Sequence, residues 1–365
     1  MLRPSKARLL LLAPLALIGC GGSGASSPAS FRALTSTFPN PGAFAVSGDG
    51  ATVSGTGNVP IVGLGFDGTA WRNGTELSSL NAPDITFNSG NAVNEDGTVI
   101  VGTGFYHGLT GGYRFVALRW TEETGAIEIP MPETVGSCYA AGVDAAGQVV
   151  VGYEYSSADS TYKAFRSDSS GVTILPTLGA ETVWKAHNVS SDGTVAVGYA
   201  GAHAVKWIGI DAPVALSTDV QDADALDASR DGSTIVGYAA SSHSGLHFAC
   251  RWTTSAGYES LGTLPGYTQS SAVAVSDDGN VIVGNAFESE SIPTSREPFI
   301  WTPGGGLHSL RDFLTGGRYE GYRKLTNIEV KDISKDGHTI VGVAYDEAAD
   351  RYSSFSVRLP AKATD

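Results

Sequence analysis

The chain has 365 residues, with 23 Lys plus Arg against 37 Asp plus Glu and a formal net charge of −14. A duplex-binding protein needs a basic footprint. The one basic-aromatic cluster, "RYEGYRK" at 318–324, is too isolated to supply it, so no nucleic acid is expected as a partner. The length exceeds most compact single-core folds, and a closed ring of repeats is one architecture that reaches it as a single domain.

In chain order, the first element stands outside the fold. Arg3, Lys6 and Arg8 precede "LLLLAPLALI" (9–18), an apolar run that suits a signal-peptide core and is too short to span a bilayer. It ends in "LIGC", Leu17 to Cys20, which resembles the lipobox of bacterial lipoproteins. That resemblance implies a signal peptide over 1–19, cleavage before Cys20, lipid on Cys20, and anchoring beyond that of a single acyl chain. The alternative is an ordinary secretory signal with a chance Cys. Gly21 stands where lipoproteins held at the inner membrane often carry Asp, which favours the outer membrane, on its periplasmic or surface-facing side. The stretch "GGSGASSPAS" (21–30) is built of Gly, Ser, Ala and Pro, so 20–30 reads as the lipidated Cys and a flexible tether. The folded domain is expected over 31–365.

From residue 46 onward nearly the same ten letters return seven times. The copies are "VSGDGATVSG" (46), "VNEDGTVIVG" (93), "VDAAGQVVVG" (143), "VSSDGTVAVG" (189), "ASRDGSTIVG" (228), "VSDDGNVIVG" (275) and "ISKDGHTIVG" (333). A period near 50 residues signals a repeat architecture. Asp-Gly between β-branched runs predicts a hairpin with a tight primed turn. A third run follows each copy, and five of these carry a Trp, namely Trp71, Trp120, Trp207, Trp252 and Trp301, suited to packing between layers. A fourth run then appears, as in "TILPTLG" (173), "ESLGTLPG" (259) and "LHSLRDFL" (307). No helical periodicity is found beyond the signal peptide.

Seven units of four strands predict an all-β, seven-bladed β-propeller. The last unit has no fourth run behind it, and "FRALTSTF" (31–38) at the start looks like the missing strand. The N-terminal strand is therefore expected to complete the last blade, so that no open sheet edge remains between the ends of the ring. An open β-solenoid is the rival, and the uneven repeat spacing argues against it.

The sub-motifs "HAVKW" (203–207), "HFACRW" (247–252) and "SLGTLPG" (260–266), with the recurring A-x-x-V-S-x-D-G-x-x-V-V-G, resemble the bacterial extracellular HAF repeat family over residues 31–359. The resemblance implies export and a repeated all-β fold. It implies no established activity and no catalytic residues. The chain departs from the pattern at Ala146, where the turn Asp is lost, and at Ser167, where the Trp is lost, and those blades are expected to be weaker.

Strand alternation puts all Asp-Gly turns on one face and the long, variable loops on the other. Variable loops on a rigid scaffold are where function concentrates. Their Tyr, Phe, His and Arg side chains suit a binding surface. Tyr106, His107, Tyr153, Tyr155, Phe287, Arg318, Tyr319, Tyr322, Arg323 and Tyr345 are thus the candidate contacts for a protein or glycan. The enzyme alternative, a hydrolase or lyase acting on an extracellular polymer, would use carboxylates gathered near the channel, with Glu154, Glu288, Glu290, Asp346 and Glu347 as candidates. No metal or other cofactor is expected. The chain has no H-E-x-x-H, no EF-hand spacing, no G-x-S-x-G elbow and no phosphate-cradling loop. Cys138 and Cys250 read as buried structural residues, and the ring is expected to be monomeric.

Overall fold

The computed structural model describes residues 30–36, 41–58, 66–77, 80–82, 84–106, 114–132, 136–217, 220, 222–241, 244–288, 296–314 and 319–360. The signal peptide, Cys20 and all of the tether but Ser30 lie outside these residues. The chain opens with β1 (Ser30–Leu34) and then builds six blades in order. The first is β2 (Gly42–Val46), β3 (Thr52–Asn58), β4 (Phe66–Arg72) and β5 (Thr75–Glu76). The second is β6 (Ile85–Val93), β7 (Ile100–Tyr106), β8 (Phe115–Thr121) and β9 (Gly125–Glu128). The third is β10 (Ser137–Val143), β11 (Val150–Ser156), β12 (Thr161–Asp168) and β13 (Gly171–Ile174). The fourth is β14 (Trp184–Val189), β15 (Val195–Ala200), β16 (His203–Ile208) and β17 (Val214–Ala215). The fifth is β18 (Ala223–Ala228), β19 (Thr234–Ala240), β20 (His247–Thr253) and β21 (Gly257–Gly262). The sixth is β22 (Gln269–Val275), β23 (Ile282–Phe287), β24 (Arg296–Thr302) and β25 (Gly306–Ser309). The seventh holds β26 (Leu325–Ile333), β27 (Thr339–Asp346) and β28 (Arg351–Arg358), and β1 joins it as the outermost strand. All seven sheets are antiparallel and four-stranded, so the molecule is a seven-bladed β-propeller closed by its N-terminal strand.

Two short helices, α1 (Leu310–Phe313) and α2 (Glu320–Arg323), follow β25 and correct the expectation of no helix. The run "LHSLRDFL" is a strand for its first half only. Ser309 then caps α1 by accepting from the Asp312 N–H.

The Asp-Gly turns differ from the expected two-residue primed turn. In the first, the Gly50 N–H donates to the Ser47 carbonyl, and Gly50 is left-handed at φ 73° while Asp49 is not. The Ser two places before the Asp explains its recurrence. Ser47 Oγ accepts from the Thr52 N–H at 2.9 Å and donates to Asp49 Oδ1 at 2.6 Å. Asp49 Oδ1 in turn accepts from the Ala51 N–H. Copy three, expected to be weakened at Ala146, is repaired from the other side. Asp144 replaces the Ser, and its carboxylate accepts from both the Gln148 and the Val149 N–H, at 2.7 and 2.8 Å.

The innermost strand of each blade carries a β-bulge just before its turn, for example between Ala186 and Asn188. The bulged residues are Phe44, Asn91, Ala141, His187, Leu226, Val273 and Lys331. All seven line a central cavity of about 160 Å³. The bulge also explains the Gly that closes every repeat. It turns an inner-strand carbonyl against the second strand, so a Cβ on Gly284 would collide with the Ser271 oxygen, and the other six copies meet the same obstacle.

Blades are bonded to one another near the axis. The turn N–H of each blade donates to a turn carbonyl of the next, from Asp49 N to Glu95 O round to Asp336 N to Gly48 O, which closes a seven-membered ring of backbone hydrogen bonds. Further out, all five expected Trp residues are buried. The indoles of Trp71 and Trp207 reach back to the preceding blade, donating to the Thr35 and Pro176 carbonyls.

Candidate functional site

The face opposite the Asp-Gly turns carries a band of aromatic side chains drawn from blades two to five. Tyr139 on β10 and Tyr153 on β11 are cross-strand partners and stack with centroids 5.0 Å apart. Tyr162 at the start of β12 meets Tyr153 at 6.0 Å and Tyr155 at 4.7 Å. Phe115 on β8 extends the band on the side of blade two, 5.9 Å from Tyr139.

Blade four supplies a cation to these rings. Lys185 on β14 places its ammonium 4.0 Å from the centroid of Tyr162, 4.7 Å from Tyr153 and 5.8 Å from Tyr199. An ammonium over several ring faces is attracted by their quadrupoles. Burial pulls the Lys185 pKa down, with the Asp224 carboxylate opposing. Next along β14, His187 stacks on Tyr199 at 5.6 Å, and its Nε2 lies 3.1 Å from Asp224 Oδ2 on β18. In blade five, Tyr238 packs on His247, whose Nε2 is 2.9 Å from Asp222.

Burial raises the phenol pKa of Tyr139 and Tyr153, and pushes Tyr199 up to about 12 with Asp224 contributing. These hydroxyls stay protonated and able to donate. The band therefore offers partly exposed aromatic surface, neutral hydroxyl donors and a cation held in place by rings. It offers no activated thiol. Cys138 and Cys250 are both buried and unbridged, and burial lifts Cys138 to about 11 and Cys250 well up.

Of the expected contact residues, Tyr153 and Tyr155 belong to this band. Tyr106 stands at its blade-two end, donating from its hydroxyl to Glu128 Oε2 at 2.7 Å. Tyr345 and Arg323 stay on the surface of blade seven, where the Tyr345 hydroxyl bonds Asp350. Three expectations are corrected. Tyr322 is fully buried against Phe31 and Phe355. Tyr319 is 4% exposed, with its hydroxyl donating to the Arg358 carbonyl. Phe287 is 7% exposed at the end of β23. Helix α2 folds the expected loop inward, so Tyr319 and Tyr322 are core residues. His107 and Arg318 lie outside the described residues.

The candidate carboxylates do not gather. Glu154 sits on β11 and pairs with Lys163 at 3.7 Å, Glu288 follows the end of β23, and Asp346 ends β27 with Glu347 in the turn after it. Glu290 lies outside the described residues. Among the described residues, no group of three or more His, Cys, Asp or Glu is placed to hold a metal ion. Tyr139, Tyr162, Lys185, His187, Tyr199 and Asp224 were not singled out from the sequence. The available signal was a Tyr after the repeat Gly in three successive copies, at Tyr153, Tyr199 and Tyr238.

No family model matches the sequence, and no curated protein matches it. Among solved structures, an oligogalacturonate lyase from Vibrio parahaemolyticus superposes with a TM-score of 0.58 at 12% identity, covering 93% of this chain and 96% of that one. An oligogalacturonate lyase in complex with manganese gives 0.56 at 14% identity over 93% and 95% of the two chains. The β-propeller domain of the trilobed protease from Pyrococcus furiosus gives 0.52 at 12% identity over 88% and 96%. At such identities the likeness is one of fold, and the fold shared across these chains is the β-propeller.

Proposed function

We propose that the protein is a non-enzymatic binding propeller of the cell envelope, a member of the HAF repeat family held to the outer membrane through lipid on Cys20. Its ligand is a glycan, bound on the aromatic band of blades two to five. The observation that carries the reading is Lys185 set among Tyr153, Tyr162 and Tyr199, beside the Tyr139–Tyr153 stack. Rigid rings give large contact area at low entropic cost. Their faces suit the C–H faces of a sugar, while phenol hydroxyls and the ammonium donate to its oxygens. A protein ligand is the second outcome of the same test.

The test is a glycan array read in parallel with a pull-down from envelope extract, using wild type, Tyr162→Ala and Lys185→Ala. A selective glycan signal that falls about tenfold or more in both variants supports the site, since truncating a central contact typically costs over 1 kcal/mol. Tyr352→Ala, at the exposed rim of blade seven, should leave it unchanged. Binding that survives both band substitutions would sink the reading.

A further inference from the structure

A second feature lies on the opposite face, where β1 closes the ring. β1 and β28 pair with Ser30 opposite Arg358 and Arg32 opposite Ser356. All four side chains therefore project from one side of the sheet, towards blade one. They wall a groove of about 330 Å³ between blades seven and one, together with Gly50, Gly74 and Thr339.

The charge arrangement of this groove differs from that at the matching position of blade one. Arg72 occupies in blade one the register position that Arg358 occupies in blade seven, opposite Thr52 as Arg358 is opposite Thr339. Arg72 is paired with Glu122 at 3.0 Å. Arg358 has no carboxylate partner among the described residues. Its Nη1 donates to Thr339 Oγ1 at 3.3 Å. Arg32 has neither an ion pair nor a hydrogen bond among them. It lies across the left-handed Gly74, where a Cβ would strike its guanidinium. Asp49 is the one carboxylate on the wall, and its Oδ1 is engaged by Ser47 and the Ala51 N–H.

Two guanidiniums flanked by the hydroxyls of Ser30, Thr339 and Ser356 fit a tetrahedral oxyanion, because the guanidinium fork matches phosphate geometry. We propose that the Arg32–Arg358 groove is a binding site for a phosphate group, carried either by a phospholipid headgroup or by free phosphate. Ser30 ends β1 at the Asp-Gly face, so the chain enters the ring beside the groove. On the lipid-anchored reading this is the face turned to the membrane. The phosphate site itself rests on its own geometry and stands without that reading.

The test is titration calorimetry of the full chain with two probes. One is inorganic phosphate, and the other is glycerophosphoglycerol, the headgroup of phosphatidylglycerol without its acyl chains. The variants are Arg32→Glu, at an exposed side chain, and Arg32→Gln/Arg358→Gln, with Arg323→Gln on the opposite face as control. Circular dichroism melting checks that each is folded. Binding of at least one probe, weakened about tenfold or more in Arg32→Glu and unchanged in Arg323→Gln, is the expected result, matching the loss of one charge-assisted contact. Tighter binding of glycerophosphoglycerol assigns a headgroup, and tighter binding of inorganic phosphate assigns the free ion. No heat from either probe, or equal affinity in folded Arg32→Glu and wild type, would overturn the site. Glycan binding by the aromatic band is read separately, so each proposal can fail alone.

Discussion

At the scale of single residues, the repeat is a device for satisfying one buried N–H per turn. In six copies a Ser or Asn accepts it, and in copy three Asp144 does so. Removing the acceptor leaves the donor orphaned inside the sheet. Ser276→Ala should therefore cost about 1–3 kcal/mol in urea unfolding. Asp144 serves two N–H groups, so Asp144→Ser should destabilise copy three, and adding Ala146→Asp should restore it. If the double substitution is no more stable than Asp144→Ser alone, the exchange of roles between the two positions is wrong. The turn carboxyls also set an acid limit. The Thr98 hydroxyl holds Asp96 below its usual pKa, and the Ser233 hydroxyl does the same for Asp231. A depressed folded pKa contributes stability above the unfolded value of 3.8 that is lost as pH falls through the folded one. The Ser-Asp-Gly spacing was plain in the sequence. Its physical reason was not, because the clamp depends on which way Ser47 Oγ points.

At the scale of elements, strands were legible and loops were not. Hydrophobic alternation and the recurring Trp located the third strand of five blades, while the inner-strand bulges that set the register left no such mark. Phe287 is misplaced at the end of β23, and the other two misplaced contacts fall in the stretch after β25. There the chain turns through α1 and α2, and "RYEGYRK" contributes Tyr319 and Tyr322 to the core instead of to a binding loop. The sequence reads as a polar loop because Glu320, Arg323 and Lys324 face out while the Tyr319 and Tyr322 rings face in. β1 is the element on which closure depends. Leu34, 3% exposed, packs with Val46, Val53 and Trp71 of blade one. Leu34→Ala should cost about 2–5 kcal/mol. The measurement is chemical denaturation, with Ala33→Ser on the same strand, at an exposed position, as the near-neutral control.

At the scale of the whole molecule, the aromatic band was hidden for a geometric reason. Its members come from four blades and are spread along the chain from Phe115 to His247. Only a register that sets Tyr153 of one blade beside Lys185 of the next reveals them. The axis holds a second assembly of this kind. Lys335 Nζ sits 3.2 Å from Asp227 Oδ1, which also accepts from Asn188 Nδ2, while Asp332 accepts from the Val46 and Ile333 N–H groups. These contacts join blades four, five, seven and one. Burial lifts the Asp332 carboxyl to about 7, Asp227 reinforcing the shift and Lys335 opposing it. A folded pKa above the unfolded 3.8 means that the protonated acid is the form the fold prefers. Its contribution is complete below about pH 4 and is lost as pH rises through about 7. Melting of wild type and Asp332→Asn from pH 4 to pH 8 should show wild type losing ground to the variant across that window. Parallel curves would mean that Asp332 does not titrate there.

The way β1 is attached has a mechanical meaning. Five residue pairs join it to β28, all of them on the outer edge of blade seven, while the backbone ring near the axis uses none of its atoms. A pull on the chain ahead of Ser30, directed along the strand, loads those pairs in shear, so they share the force instead of opening one by one. A pull across the sheet peels them in turn from Ser30. The propeller is therefore strong in one direction of tension and weak in the other. If the chain ahead of Ser30 is pulled, the strand should slip before any blade parts from its neighbour.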